Sequence, residues 1–365
     1  MIINEQTDKH FITSHEVFSE PLRFYTQLLL DIDRAKKTIC IEIYKFVEDA
    51  IGIKFRDALN KKCKQGVKVK LLIDSWGADV SETFFDDLIA SGGQVRYFKK
   101  LRRYSFDAFT KHHRRNHRKI IVIDDKMVYV GSANINDYSL NWRELIVKIE
   151  GSLALTMKKV FNDSWKIYEK VMYSHKNQLR QITIGTFKII RDVPSITQQR
   201  LKKRFEELVK KAKKEIIIET PYFLPGFLLR KLLMDAAKRG VDVKILTPKQ
   251  SDVPFVDVLR SKYLGMFYKS NLKMLFYTPN NLHAKLIIID KELFCFGSAN
   301  FDYRSFRYMF EIMLQGTDKG LLEDLLIHVN GSLEDCEPFD YEKWLRRPRI
   351  YKFFEQLLVP FRHYL

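Results

Sequence analysis

Apolar positions along this chain change their period several times. Near-continuous apolar runs at Thr38–Phe46, Gly66–Asp74, Glu215–Phe223 and Gly240–Pro248 read as strands. Between and before them, apolar residues recur at helical spacing. Phe18, Leu22, Tyr25, Leu28, Leu29 and Ile32 form one stripe, and Leu201, Phe205, Leu208, Val209 and Ala212 form another. The stretch "GFLLRKLLMDAAKRG" (Gly226–Gly240) reads as a further helix, closing on Lys and Arg and then Gly. Strands that are apolar on both faces need cover on both sides, so this alternation predicts an α/β layered fold.

The order of elements is written twice. "NHRKIIVIDDKMVYVGSAN" (Asn116–Asn134) returns about 166 positions later as "NLHAKLIIIDKELFCFGSAN" (Asn281–Asn300), each after its own pair of strand runs. Both copies obey His-x-Lys, four residues, Asp, six residues, Gly-Ser-x-Asn. The first supplies His117, Lys119, Asp124, Gly131, Ser132 and Asn134; the second supplies His283, Lys285, Asp290, Gly297, Ser298 and Asn300. Six specified positions match by chance on the order of 10⁻⁸ per starting point at ordinary residue usage. Alone, His-x-Lys reads as surface and Gly-Ser-x-Asn as a turn; duplication overturns both readings. The duplication predicts two similar halves, residues 1–175 and 176–365, with the boundary around Ser174 to Gly185.

Strand periodicity puts His117 with Lys119 on one face and His283 with Lys285 on another. Asp124 and Asp290 fall at odd offsets and are expected to support the fold. Glu144 and Glu311 follow their respective histidines by 27 and 28 residues and are candidate acceptors that fix the imidazole tautomers. The remaining set of His, Lys, Ser and Asn consists chiefly of donors and cations, suited to phosphate oxygens. Ser132, Asn134, Ser298 and Asn300 are therefore expected to bind phosphate beside the two lysines. A magnesium or calcium site would need converging carboxylates, so no metal and no cofactor is expected. Two imidazoles can divide the labour of phosphodiester transfer: one attacks phosphorus, the other protonates the leaving alcohol.

Composition narrows the partner. Hydrophobic residues make up 46% of the chain and aromatics 13%, which excludes a disordered segment. A formal net charge of +18 attracts anions: an acidic membrane surface, or nucleic acid as the alternative. Cys40, Cys63, Cys295 and Cys336 lack disulfide or metal spacing, so a reducing compartment is the expectation. Neither a secretory leader nor a run of about 18 uncharged apolar residues is visible.

The doubled motif resembles the signature of the phospholipase D superfamily and matches it at every position in both copies. That resemblance covers most of the chain. It implies a duplicated α/β sandwich, a pseudo-dimer with one active site between the halves. It also implies a metal-free phosphohistidine mechanism in which His117 is the nucleophile and His283 the general acid/base. "TPYFLPGFLLRKLLMDAAKRGVDVKILTPKQSD" (Thr220–Asp252), "LHAKLIIID…GSANFDYRSFRYMFE" (Leu282–Glu311), "NWRELIVKIEG" (Asn141–Gly151) and the closing "RRPRIYKFFEQLLVPF" (Arg346–Phe361) are similar to segments of bacterial cardiolipin synthases, and the chain looks like the short type without membrane helices. The reaction so implied transfers a phosphatidyl group between two phosphatidylglycerols and releases glycerol. A phospholipase D hydrolase, a transferase with another acceptor alcohol and a nuclease are the alternatives. The expected setting is peripheral, on the cytoplasmic face of the cell membrane, with no obligate protein partner.

Two further stretches bear on the surface. Nine of the 21 residues from Lys99 to Lys119 are Lys or Arg, interleaved with Tyr104, Phe106 and Phe109. They read as an anionic-surface contact or a solvated face. At the C-terminus Ile350, Phe353, Phe354, Leu357, Leu358, Phe361 and Leu365 keep helical spacing, with Arg349, Lys352 and Arg362 off the stripe. Packing against the protein's own core is the expectation there, and membrane docking the alternative.

Overall fold

The computed structural model describes residues 11–99, 114–168 and 181–360. The centre of the basic run (100–113), Ser174 at the expected boundary, and Phe361, Arg362 and Leu365 lie outside the described residues. Two sheets form the framework. In the N-terminal half seven strands lie in the order Ser14–Phe18, Ile146–Glu150, Met127–Gly131, Ile120–Ile123, Thr38–Ile43, Lys68–Asp74 and Gln94–Phe98. The C-terminal half repeats that order with Phe187–Asp192, Met309–Gly316, Leu293–Gly297, Leu286–Ile289, Glu215–Glu219, Asp242–Pro248 and Lys273–Tyr277. It adds Ile182–Ile184 at one edge and Cys336–Pro338 at the other.

The apolar runs are central strands for the reason their composition implies. All of Thr38–Ile43 except Thr38 is buried, and parallel pairing with Lys68–Asp74 places helices over the outer face. Pro21–Arg34 and Ala50–Lys64 cover the first sheet; Arg200–Lys211 and Gly226–Lys238 cover the second. Between the sheets lies one shared apolar core. Val122, Val130 and Val147 from the first half meet Ile288, Phe296 and Leu314 from the second, with helices Leu153–Ile167 and Lys319–Glu334 filling the space. Truncating a buried leucine or phenylalanine there costs about 2–5 kcal/mol. The duplicated α/β sandwich is therefore present as a pair of like halves packed face to face.

Two readings of the pattern need correction. Phe18 and Leu22 do not share a helical stripe with Tyr25. Phe18 ends a strand, Pro21 fixes the first turn of the helix, and Leu22 is exposed, so the buried stripe is Phe24, Tyr25, Leu28 and Ile32. The C-terminal apolar stripe is divided: Leu358 packs against the small cluster of Leu224, Val256 and Leu259, whereas Ile350, Phe353, Phe354 and Leu357 do not pack on the core, and on helix Arg349–Leu357 the one buried residue is Glu355.

Candidate active site at the seam between the halves

Each motif histidine sits where backbone from the two halves meets. Arg115–Asn116 pairs in parallel with Met309–Phe310, and the next residue, His117, donates its N–H to the Phe310 carbonyl at 3.0 Å. In mirrored fashion Arg143 bridges to Leu282, and His283 donates its N–H to the Arg143 carbonyl at 2.7 Å. The residue after each of those carbonyls is a glutamate. His117 Nδ1 lies 3.0 Å from Glu311 Oε1, and His283 Nδ1 lies 2.8 Å from Glu144 Oε1. The glutamates are thus exchanged: each histidine takes its partner from the opposite half, which sequence spacing alone did not reveal. With Nδ1 held by a carboxylate, Nε2 is the nitrogen left for chemistry.

The rest of the motif holds this exchange in place. Ser132 donates its hydroxyl to Glu144 and accepts the Leu145 N–H at 2.9 Å; Ser298 does the same with Glu311 and the Ile312 N–H at 3.0 Å. Those hydroxyls are committed to the glutamates, a correction to the expectation that they face phosphate. A Cβ at Gly131 would lie 2.2 Å from the Leu145 carbonyl oxygen, and one at Gly297 2.2 Å from that of Ile312. Any side chain there would push away the strand that carries the glutamate. Asp124, at φ 52°, accepts the N–H groups of Lys36, Lys37 and Thr38 at 2.6–2.9 Å. Asp290, at φ 55°, does so for Lys213, Lys214 and Glu215 at 2.6–2.9 Å. Both tie the turn after the motif strand to the start of its neighbour, far from the imidazoles in role.

The strand placement assumed for His-x-Lys is corrected: both pairs precede their strands, which begin at Ile120 and Leu286. Lys119 Nζ donates to the His117 carbonyl at 2.8 Å and Lys285 Nζ to the His283 carbonyl at 2.5 Å. Burial pulls the Lys119 ammonium down to about 8 and that of Lys285 down to about 7. Asn134 Oδ1 accepts the Lys45 N–H at 3.2 Å, and Asn300 is buried nearby in its own loop.

The two imidazoles differ electrically. Burial, then Lys119, Lys285, His283 and Arg304, hold His117 well below the ordinary histidine range. Burial also lowers His283, but the Glu144 carboxylate opposes it and Asp252 adds to that opposition. Burial pushes Glu311 up to about 7, whereas His283 holds Glu144 below its ordinary value against the effect of burial. The His283–Glu144 pair is therefore the more ion-pair-like of the two. Residues outside the motif complete the walls: Tyr44 meets His117 edge-on at 5.0 Å, and Trp142 lies 5.3 Å from His283. Asp252 accepts from Tyr222 at 2.7 Å and from Asn281 at 3.1 Å. Sequence reading gave no signal for Tyr44, Trp142, Asp252 or Arg304, because none belongs to the repeated spacing.

Comparison with known proteins follows this geometry. A family model described as "Cardiolipin synthase, PLD-like domain" matches residues 28–165 and 205–330. A cardiolipin synthase of Clostridium perfringens is 30% identical over 94% of this chain and 75% of its own length. The major cardiolipin synthase ClsA of Bacillus subtilis is 31% identical, over 95% and 75% respectively. Among solved structures, a phosphatidylserine synthase of Haemophilus influenzae superposes with a TM-score of 0.76 at 16% identity, covering 96% of this chain and 95% of its own, a likeness of fold alone. With the doubled motif, the repeated strand order and these matches in agreement, the chain belongs to the phospholipase D-like family of cardiolipin synthases.

Proposed function

We propose that this protein moves a phosphatidyl group from one phosphatidylglycerol to the glycerol hydroxyl of a second, giving cardiolipin and glycerol through a phosphohistidine. The observation that carries the reading is the exchange of glutamates. It fixes two buried imidazoles by Nδ1 and leaves both Nε2 atoms for one seam. His117, kept neutral by burial and then by its cationic surroundings, attacks phosphorus with Nε2; the P–N bond forms as the P–O bond to glycerol breaks. His283, as imidazolium beside Glu144, gives its Nε2 proton to the departing glycerol oxygen. It then takes the proton of the incoming glycerol hydroxyl, whose oxygen attacks phosphorus and releases His117. The sequence balances without metal or cofactor.

Lys119 and Lys285, with Asn134 and Asn300, carry the charge of the nonbridging oxygens. An arriving phosphate raises the affinity of both buried amines for their protons, so substrate binding itself restores their charge. Ser132 and Ser298 act through the glutamates, while Asp124, Asp290, Gly131 and Gly297 serve the fold. Residues 1–175 and 176–365 form the two units that share the site. Among the described residues no helix is long and apolar enough to cross a membrane. The net charge of +18 supports approach to anionic lipid from the side, on the cytoplasmic face.

Incubation of the purified protein with phosphatidylglycerol vesicles in EDTA tests the reading. Cardiolipin and glycerol should appear together, and His117→Ala or His283→Ala should each lower the rate by about 10³-fold or more. Absence of both products, or activity indifferent to both substitutions, would sink it.

A further inference from the structure

The C-terminal helix Arg349–Leu357 wears its amphipathicity inside out. Its polar side faces the protein. The Glu355 carboxylate accepts the Ser261 hydroxyl at 2.8 Å and two nitrogens of Arg347 at 2.8 and 2.9 Å, and Gln356 accepts from Lys262 at 2.8 Å. These contacts clamp the helix to Pro254–Lys269. The opposite side carries Ile350, Phe353, Phe354 and Leu357, spaced i, i+3, i+4, i+7, and they are 56%, 60%, 45% and 50% exposed. A surface helix in water turns such a stripe inward. Here a specific set of polar bonds turns it outward, so the medium it meets is apolar.

Two observations identify that medium. Arg346, Arg349 and Lys352 are exposed in and just before the first turn of the helix, on a chain whose net charge is +18. A symmetric pair of copies would set these like charges against each other, whereas an anionic surface would attract them. The stripe is also continuous with the site. Leu358 and Val359, just past the helix, pack against Leu224, Val256 and Leu259, the same small cluster on which Tyr222, Val253 and Tyr263 pack. Tyr222 in turn donates to Asp252, which also receives Asn281, two residues before His283. Helices that begin beside this cluster expose Phe227 (70%) and Phe255 (56%).

We propose that the outward stripe of Arg349–Leu357 is a docking surface for an anionic phospholipid bilayer, seating the second-half rim of the seam against the membrane. This deepens, and rests on, the lipid chemistry proposed above. The apolar side chains enter the interface while Arg349 and Lys352 meet headgroup phosphates.

The test uses the full chain in two assays. Co-sedimentation with phosphatidylglycerol vesicles, and separately with neutral phosphatidylcholine vesicles, reads the surface; turnover of dispersed short-chain phosphatidylglycerol reads the chemistry. Phe353→Ser/Leu357→Ser should lower affinity for phosphatidylglycerol vesicles on the order of a hundredfold. Arg349→Glu/Lys352→Glu should lower it about tenfold or more, with little change on neutral vesicles. Both variants should keep short-chain turnover within about twofold of wild type, which also shows that they fold. Phe353→Trp should shift its emission to the blue when phosphatidylglycerol vesicles are added. Vesicle binding untouched by both double substitutions would overturn the proposal, as would a wild-type dimer that Phe353→Ser/Leu357→Ser splits without loss of vesicle binding. A wild type inert on short-chain lipid would instead count against the chemistry and leave the binding result to judge the surface.

Discussion

The two histidine stations are built from the same set of contacts, yet they differ in electrical character. Each has an Nδ1–carboxylate contact, a lysine bonded to the histidine carbonyl, and a serine that steadies the glutamate. At His117 burial and all the leading charges act in one direction, toward the neutral ring. At His283 the Glu144 and Asp252 carboxylates push back. A duplicated gene starts with two identical sites, yet a two-step transfer needs one nucleophile and one proton carrier. The difference begins with the Glu144 carboxylate beside His283, and unrepeated residues add to it: Asp252 near that ring and Arg304 near the other. Symmetric spelling builds the seam; its surroundings divide the labour.

That comparison breaks first at the glutamates. Glu144→Gln removes the counter-charge of an imidazolium and should lower kcat by about 10²–10³-fold. Glu311→Gln leaves a neutral partner beside a ring that works neutral, and should lower it about tenfold. Equal losses in steady-state assays would mean that the two stations are equivalent after all.

A finer probe is the pH profile of kcat/KM. Activity rises with pH as His117 loses its proton and falls as His283 loses its own. Arg304 lowers His117, so Arg304→Gln should raise that pKa and move the acid limb to higher pH. Asp252 raises His283, so Asp252→Asn should lower that pKa and move the alkaline limb to lower pH. Shifts of about half a unit are expected from one such charge. Loss of the Lys285 and Lys119 charges, from about pH 7 and about pH 8 in the empty site, steepens the alkaline fall.

The smallest contrast is between the motif aspartates. Asp124→Ala and Asp290→Ala each strand three backbone N–H groups and should cost similar stability, about 1–3 kcal/mol in urea unfolding. Neither should move the pH profile. A shifted limb would show that one aspartate reaches its histidine electrically.

Much of this was legible in the chain because the repeat constrains it twice. His117, Lys119, His283 and Lys285 announce themselves by spacing, and the strands by apolar runs that need cover on both faces. What could not be read has a physical cause in each case. The exchange of Glu144 and Glu311 depends on how two halves dock, and spacing within one half carries no information about that. The hydroxyls of Ser132 and Ser298 suit phosphate and carboxylate alike, and only the fold decides which is nearer. The period-2 argument for His117 and Lys119 needs both residues within a strand, and the strand begins only at Ile120, three residues past His117. Helix Arg349–Leu357 has the pattern of a packed helix, and its inversion is set by Glu355 with Arg347 and Ser261, a contact invisible to periodicity.

Mass spectrometry of the protein quenched during turnover of phosphatidylglycerol tests the division of labour most directly. The phosphatidyl adduct should sit on the peptide that contains His117, and His283→Ala should leave that position modified when a substrate with a good leaving group is supplied. An adduct on His283, or none on either histidine while product accumulates, would contradict the account.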